Sequence, residues 1–254
     1  MKEQIYTIPV IDAFKADTEC PFCNLHQTLE RECIDFMLGA SYMEDDIRME
    51  TNKSGFCPHH YQQLFNEKNR LGLALMLHSH FQEVNKSLSK AIESHKDLTS
   101  NNFSFLSGLM NYSKRETSSQ NKNPISSDLK NIHKDCYICT KIEKTFERYM
   151  DTFFHLWKKD HEFVSLVSKG KGFCLNHFAS LIEGANSALN KEQYNHFTQI
   201  VFPIQLENLK RIEEELDWFV QKFDYRYKDA PWKNSKDAVQ RAISKISSTA
   251  VENE

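Results

Sequence analysis

The sequence is poor in the residues that break regular structure. Only 7 glycines and 6 prolines occur in 254 residues, about 5% of the chain against the ~12% of ordinary globular proteins. That scarcity excludes collagen-like and turn-rich all-β architectures and predicts a chain that is mostly helix. No strong excess of one charge is present. The formal charge is −3 with 26% charged residues, so no broad electrostatic field favours nucleic acid. Long apolar runs are also missing. The longest, Leu71 to Leu77, is interrupted by Gly72 and falls far short of the ~20 residues that span a bilayer. Met1-Lys-Glu-Gln-Ile-Tyr has no charged-then-apolar leader, and the expectation is a cytoplasmic protein.

What the chain does contain is a patterned set of seven cysteines, an odd number that argues against a simple disulfide framework. Cys20-Pro-Phe-Cys23 is followed by Gly55-Phe-Cys57-Pro-His-His60, and Cys136-Tyr-Ile-Cys139 by Gly172-Phe-Cys174-Leu-Asn-His177. The gaps between pair and half-motif are 33 and 34 residues. Thr28-Leu-Glu-Arg31 recurs as Thr145-Phe-Glu-Arg148, and from there an offset of 117 residues holds through both Cys57/Cys174 and His60/His177. The pattern reads as one unit written twice. The same register makes His60 the counterpart of His177, and leaves His59 opposite Asn176.

Three thiolates and an imidazole are the donor set of a closed tetrahedral zinc site, and two-residue gaps let both members of a pair face one ion. The expectation is one Zn²⁺ per repeat: Cys20, Cys23, Cys57 and His60 in the first, Cys136, Cys139, Cys174 and His177 in the second. An iron–sulfur cluster is the alternative occupant, because it too accepts cysteine and histidine. Pro21 and Pro58 directly follow ligand cysteines, and proline is favoured at the first position of a helix. A helix N-terminus stabilises thiolate. Tyr137 and Leu175 replace these prolines in the second copy, which leaves the ligands intact but weakens the case for identical loop geometry.

Around these motifs the apolar residues recur at helical spacing. Leu25, Leu29, Cys33, Phe36 and Met37 form one stripe, closed by Gly39, and Ile142, Phe146, Tyr149, Met150, Phe153, Phe154 and Trp157 form a more aromatic one. Ser41-Tyr-Met-Glu44 reads as a capping box opening a short helix to about Glu50, with a turn over 51–55. Helices are expected from Cys57 to Asn66, from Asn69 to His95, from Lys191 to Phe223 with a bend at Pro203, and over Ala238 to Ile246. Tyr6 to Ile11 reads as extended, confined by Pro9 to a sheet edge. Asn111 to Asp128 is rich in Ser, Asn and Lys and reads as an exposed linker. The resulting division is 1–96 for the first repeat, 97–134 for the linker, 135–223 for the second repeat, and 224–254 for a tail with a docking helix.

Tyr6-Thr-Ile-Pro-Val10, Cys20-Pro-Phe-Cys23, Ser41-Tyr-Met-Glu-Asp-Asp46, Gly55-Phe-Cys57, Asn69-Arg-Leu-Gly-Leu-Ala-Leu75 and the segment from Pro231-Trp232 to Arg241 resemble an uncharacterised family of anaerobic Gram-positive bacteria, domain of unknown function 6062. The resemblance covers nearly the whole chain and implies no reaction, substrate or catalytic residue.

Competing readings of single features are weaker. A glutaredoxin-like dithiol at Cys20 and Cys23 needs strands alternating with helices, whereas the sequence after Cys23 is helical. Covalent haem needs a histidine after each pair, where Asn24 and Thr140 stand. Cys33 reads as a small buried thiol. Glu44, Asp45, Asp46 and Glu50 read as a solvated helix start before a carboxylate site, and His78 and His80 as packing histidines before pocket residues. Lys236, Arg241 and Lys245 read as a solvated face of the tail helix. The chain is therefore expected to be an all-α protein of two homologous repeats, each clamped by a Cys₃His metal site. Its task would be that of a metal-stabilised scaffold binding a protein or small molecule, without catalytic residues. An iron–sulfur or thiol redox protein, and a metal- or redox-responsive regulator, are the other classes open.

Overall fold

The computed structural model describes residues 4–103, 126, 129 and 135–249. Every regular element among them is helical. In chain order these are α1 (Gln4–Lys15), α2 (Pro21–Leu38), a 3₁₀ turn (Ser41–Met43), α3 (Asp45–Ser54), α4 (Pro58–Asn66), α5 (Arg70–Phe103), α6 (Tyr137–Lys159), α7 (His161–Ser168), α8 (Leu175–Ala188), α9 (Lys191–Gln221), a 3₁₀ turn (Tyr225–Tyr227) and α10 (Ala238–Ser247). No helix among the described residues is long and apolar enough to cross a membrane.

The chain forms two compact units that are not consecutive in sequence. One comprises Met1–Leu29 with Glu143–Glu254, the other Glu30–Ile142. This interleaving departs from the linear division at 96/97 and 134/135. The first unit takes a segment from each end of the chain, and the second is one continuous stretch between them.

In the first unit the core is aromatic. Phe22, Phe153 and Phe197 are fully buried. Phe14 meets Phe22 edge-on at 5.5 Å, and Phe153 meets Trp157 at 6.0 Å and Phe163 at 5.5 Å. Large rings at these offset and edge geometries dominate burial energetics. α1 packs on α7, and α10 packs on α9 and α8, so the tail helix does dock. In the second unit α3 and α4 pack on α5, around Leu64, Leu73 and Met76.

Three local expectations are corrected. Tyr6 to Ile11 is helical, with Pro9 inside α1. Burial of Val10, Ala13 and Phe14, with Ile5 and Ile8 left exposed, follows a 3.6-residue period rather than alternation. Packing on that face outweighs the single backbone bond Pro9 removes. Ser41 does not cap a helix: it opens a 3₁₀ turn, and α3 starts at Asp45 without a side-chain cap and runs on to Ser54. The turn expected over 51–55 shrinks to Gly55, whose φ of 61° ends the helix. The helix expected to stop near His95 continues to Phe103. Most of the Ser/Asn/Lys-rich linker lies outside the described residues.

The tail helix brings a fourth correction. Lys236 is solvated, but Lys245 is 1% exposed and Arg241 bonds Glu215 and Asp237. Period-3.6 spacing places Arg241 and Lys245 on one face, and that face is the docked one.

Candidate metal centres

Two groups of four donors converge. Cys20, Cys23, Cys174 and His177 form group A, and Cys57, His60, Cys136 and Cys139 form group B; within each, all ligand atoms lie within 4.8 Å of one another. All eight residues singled out in the sequence are present, yet the grouping within each repeat is wrong. Each Cys-x-x-Cys pair meets the Cys-x-x-His half-motif from the other half of the chain. Group A lies wholly in the first unit and group B wholly in the second.

Local structure explains how each donor is presented. Cys57 and Cys174 are the N-cap residues of α4 and α8, with backbone angles of −73°/164° and −69°/160°. The proline at 58 and the leucine at 175 thus accommodate the same N-cap geometry. Gly55 and Gly172 precede them at φ 61° and 74°. A Cβ at Gly55 would stand 2.8 Å from His80 Nε2, and one at Gly172 2.9 Å from Gln205 Oε1, so both positions need glycine on two counts. Cys23 and Cys139 lie in the first turns of α2 and α6, which brings the N-termini of two helices to each group.

The distances suit one ion per group. In group A, His177 Nδ1 lies 3.1 Å from Cys174 Sγ, 3.3 Å from Cys23 Sγ and 3.6 Å from Cys20 Sγ, and the Cys23 and Cys174 sulfurs are 3.5 Å apart. In group B, His60 Nδ1 lies 3.2, 3.3 and 3.4 Å from the sulfurs of Cys57, Cys136 and Cys139, with Cys57 and Cys139 Sγ 3.9 Å apart. A tetrahedron with bonds of ~2.3 Å to sulfur and ~2.0 Å to nitrogen has edges of roughly 3.5–3.8 Å. Both histidines therefore offer Nδ1.

Electrostatics separates the donors within each group. In group B, burial pushes the Cys136 thiol up, but hydrogen bonds from His60 and from the backbone N–H groups of Cys139 and Cys57 outweigh it, leaving a value lowered to about 6. Burial opposes protonation of His60, and the bonds to Cys136 and Glu30 carry it up to about 10. In group A, hydrogen bonds from Cys20 and Cys23 hold the Cys174 thiol low, and the same sharing pushes Cys23 up. His177 is likewise raised to about 9 by Cys174 and Cys20 against the effect of burial. Without metal, each group is thus a thiolate–imidazolium pair, with the Cys23 thiol of group A pushed up by its neighbouring cysteines and by burial, and the Cys139 thiol of group B by burial and by its neighbouring cysteines. A dication bound there would replace the protons on these groups.

The surroundings of the two groups differ, and sequence reasoning missed the residues responsible. Beside group B, Glu30 Oε1 accepts from His60 Nε2 at 3.2 Å and from His59 Nε2 at 3.0 Å. The bond to His60 holds the Glu30 carboxyl down at about 2. A carboxylate on the outer nitrogen fixes the tautomer that leaves Nδ1 free for metal. His59 is itself 65% exposed and is not one of the four converging donors of group B. Beside group A, Ser248 Oγ lies 3.0 Å from Cys174 Sγ, while the His177 ring stacks on Phe146 at 5.1 Å. The recurring Thr-x-Glu-Arg block marked Glu30, but its sequence carries nothing that places it at His60.

Other candidates fall away from the centres. Cys33 is buried on α2, its thiol pushed up by desolvation. Glu44, Asp45, Asp46 and Glu50 are exposed at the start of α3. His78 is exposed, and His80 donates from Nδ1 to the Asn52 carbonyl at 2.8 Å, which is a packing role. His80 also lines a surface cavity of about 320 Å³ with Met49, Asn52, Glu83 and Val84.

The family model of DUF6062, described as a family of unknown function, matches residues 1–253. The chain belongs to that family. No curated protein and no solved structure matches it.

Proposed function

We propose that the chain binds two structural zinc ions, one in each Cys₃His group, and serves as a metal-stabilised helical scaffold for a protein or small-molecule partner. The observation that carries the reading is the convergence of four donors from two helix N-termini at each group. Four protein donors leave no open coordination position, which favours a structural ion over a catalytic one. The short sulfur–sulfur distances also favour a single ion over an iron–sulfur cluster, whose irons distribute the cysteines over separate metal atoms. The shared N-cap geometry of Cys57 and Cys174 supports descent of both centres from one duplicated motif. Elemental analysis with a visible spectrum on anaerobically purified protein tests this. About two zinc per chain and no colour supports it, whereas iron with sulfide and a brown colour replaces it by a redox protein.

Group B favours a second reading, a metal- or thiol-responsive regulator. Cys57 and Cys139 are partly exposed, with sulfurs 3.9 Å apart. Zinc that leaves group B on mild thiol oxidation and returns on reduction supports this role; zinc retained under such treatment removes it.

A further inference from the structure

The two centres join their ligand loops by different means, and the difference begins in the sequence. At group B the Tyr137 N–H, one residue after Cys136, donates to the Gly55 carbonyl at 3.1 Å. That backbone bond ties the Cys-x-x-Cys loop to the Gly-Phe-Cys loop. At group A the corresponding residues are Pro21 and Gly172, and proline has no N–H to donate. The same bridge is chemically impossible there.

A side chain from the far end of the chain stands in its place. Lys245, on α10, is 1% exposed, and its Nζ donates to the Glu19 carbonyl at 2.6 Å and to the Lys171 carbonyl. Glu19 directly precedes Cys20, and Lys171 opens the Lys-Gly-Phe-Cys174 run. One ammonium therefore holds both ligand loops. Its charge is anchored by Glu19 Oε2 at 3.3 Å, and the same carboxylate pairs with Arg211 through Oε2 at 2.6 Å and with Arg241 through Oε1 at 3.7 Å. One turn further on, α10 ends at Ser248, whose left-handed φ of 62° turns its hydroxyl onto Cys174 Sγ at 3.0 Å. Its carbonyl lies 4.0 Å from Cys23 Sγ.

Resting on the metal reading above, we infer that α10 is a retaining arm for the group A ion, with Lys245 and Ser248 as positioning residues that hold its ligand loops closed. A zinc ion with three thiolates carries a net charge of about −1. The ammonium of Lys245 offsets that charge from beside Cys20, and the Ser248 hydroxyl donates to a thiolate that would otherwise be exposed to competing water or chelator. Undocking α10 removes both at once. Group B, closed by its own backbone bond and by Glu30, is independent of the arm. The two ions are then released under different control.

The test measures zinc loss to excess chelator from full-length chains. One background carries Cys57→Ser with Cys139→Ser, so that only group A is filled. The other carries Cys23→Ser with Cys174→Ser, so that only group B is filled. Cobalt(II) substitution reports the thiolate charge-transfer band of each. Lys245→Met is expected to speed loss from group A by about tenfold or more, Ser248→Ala by several-fold, and neither to change group B. Ser248→Ala should also shift the group A cobalt band at unchanged helix content, which a purely structural role would not do. A folded Lys245→Met chain that releases group A zinc at the unsubstituted rate overturns the arm. Should that variant fail to fold, an unchanged rate in Ser248→Ala does so alone. Acceleration of both groups alike also overturns it. Absence of zinc and cobalt binding in the unsubstituted chain is a different result, which removes the metal reading itself.

Discussion

Phe22 and Phe173 stack with their ring centroids 5.7 Å apart and their planes 29° from parallel. Each lies between or beside ligands, Phe22 inside Cys20-Pro-Phe-Cys23 and Phe173 just before Cys174. Their contact brings the two halves of group A together. Both rings are almost completely buried, so Phe173→Ala should cost about 3–5 kcal/mol and weaken metal binding at group A while leaving group B filled. Denaturant unfolding together with metal stoichiometry reads both effects.

The crossed grouping has a signature in double variants. Cys20→Ser with Cys174→Ser damages one centre, and one metal per chain should remain. Cys20→Ser with Cys57→Ser damages both, and neither should hold metal tightly. Donors grouped within each repeat would give the reverse pattern, so metal analysis of the two purified variants decides.

A cut in the chain separates the same alternatives. If a protease site is inserted in the Ser/Asn/Lys-rich stretch near residues 117–119 and cleaved after metal loading, the halves should stay together on a sizing column. Each ion then has donors in both halves. Chelation should weaken that association, leaving the aromatic core of the first unit, where Phe14 and Phe22 of one half meet Phe153 of the other, to hold the halves. Halves that separate with metal still bound to each would contradict the structure.

Glu30→Gln should weaken zinc at group B by roughly 10–100-fold and leave group A unchanged. The carboxyl lies at about 2 in the fold against 4.5 for the free group. Its stabilising contribution is therefore complete above pH 4.5 and is lost as the pH falls towards 2. At pH 7 the variant's deficit should be full, as measured by chelator competition.

Metal uptake should release protons. His60 and His177 are raised to about 10 and about 9 in the metal-free protein, and the Cys23 and Cys139 thiols are pushed up, so the ion should displace protons at neutral pH. Affinity should rise with pH over the range 6 to 8, and an indicator in weak buffer should acidify on zinc addition. Uptake with no proton release would contradict the thiolate–imidazolium pair.

Cys57→Ser should lower thermal stability more than Cys33→Ser. Cys57 is a donor of group B, whereas Cys33 only fills a space on α2. Equal shifts in melting temperature would refute that ranking.

Helical content and the ends of the ligand helices were legible in the sequence because they depend on local chemistry: scarce glycine and proline, apolar spacing, prolines after cysteines. The start of α3 is hidden in the sequence because a Ser-x-x-Glu pattern is shared by caps and 3₁₀ turns. α1 is hidden because six residues with a central proline look extended until burial of Val10 and Phe14 sets the period. The spacing of Arg241 and Lys245 shows that they share a face but not that the face docks.

The eight candidate donors are readable in the sequence, because the residue types and two-residue gaps that suit a metal are properties of short segments. Which pair meets which half-motif does not. Both half-motifs have the same donors and nearly the same backbone angles, so either could complete either pair, and spacings of 33 and 34 residues suit neither choice better. Long-range contacts decided it: the Phe22–Phe173 stack for one centre and the Tyr137–Gly55 backbone bond for the other. Burial of aromatic surface and pairing of backbone groups selected the partners of the cysteines, and those forces act only once distant segments have come together.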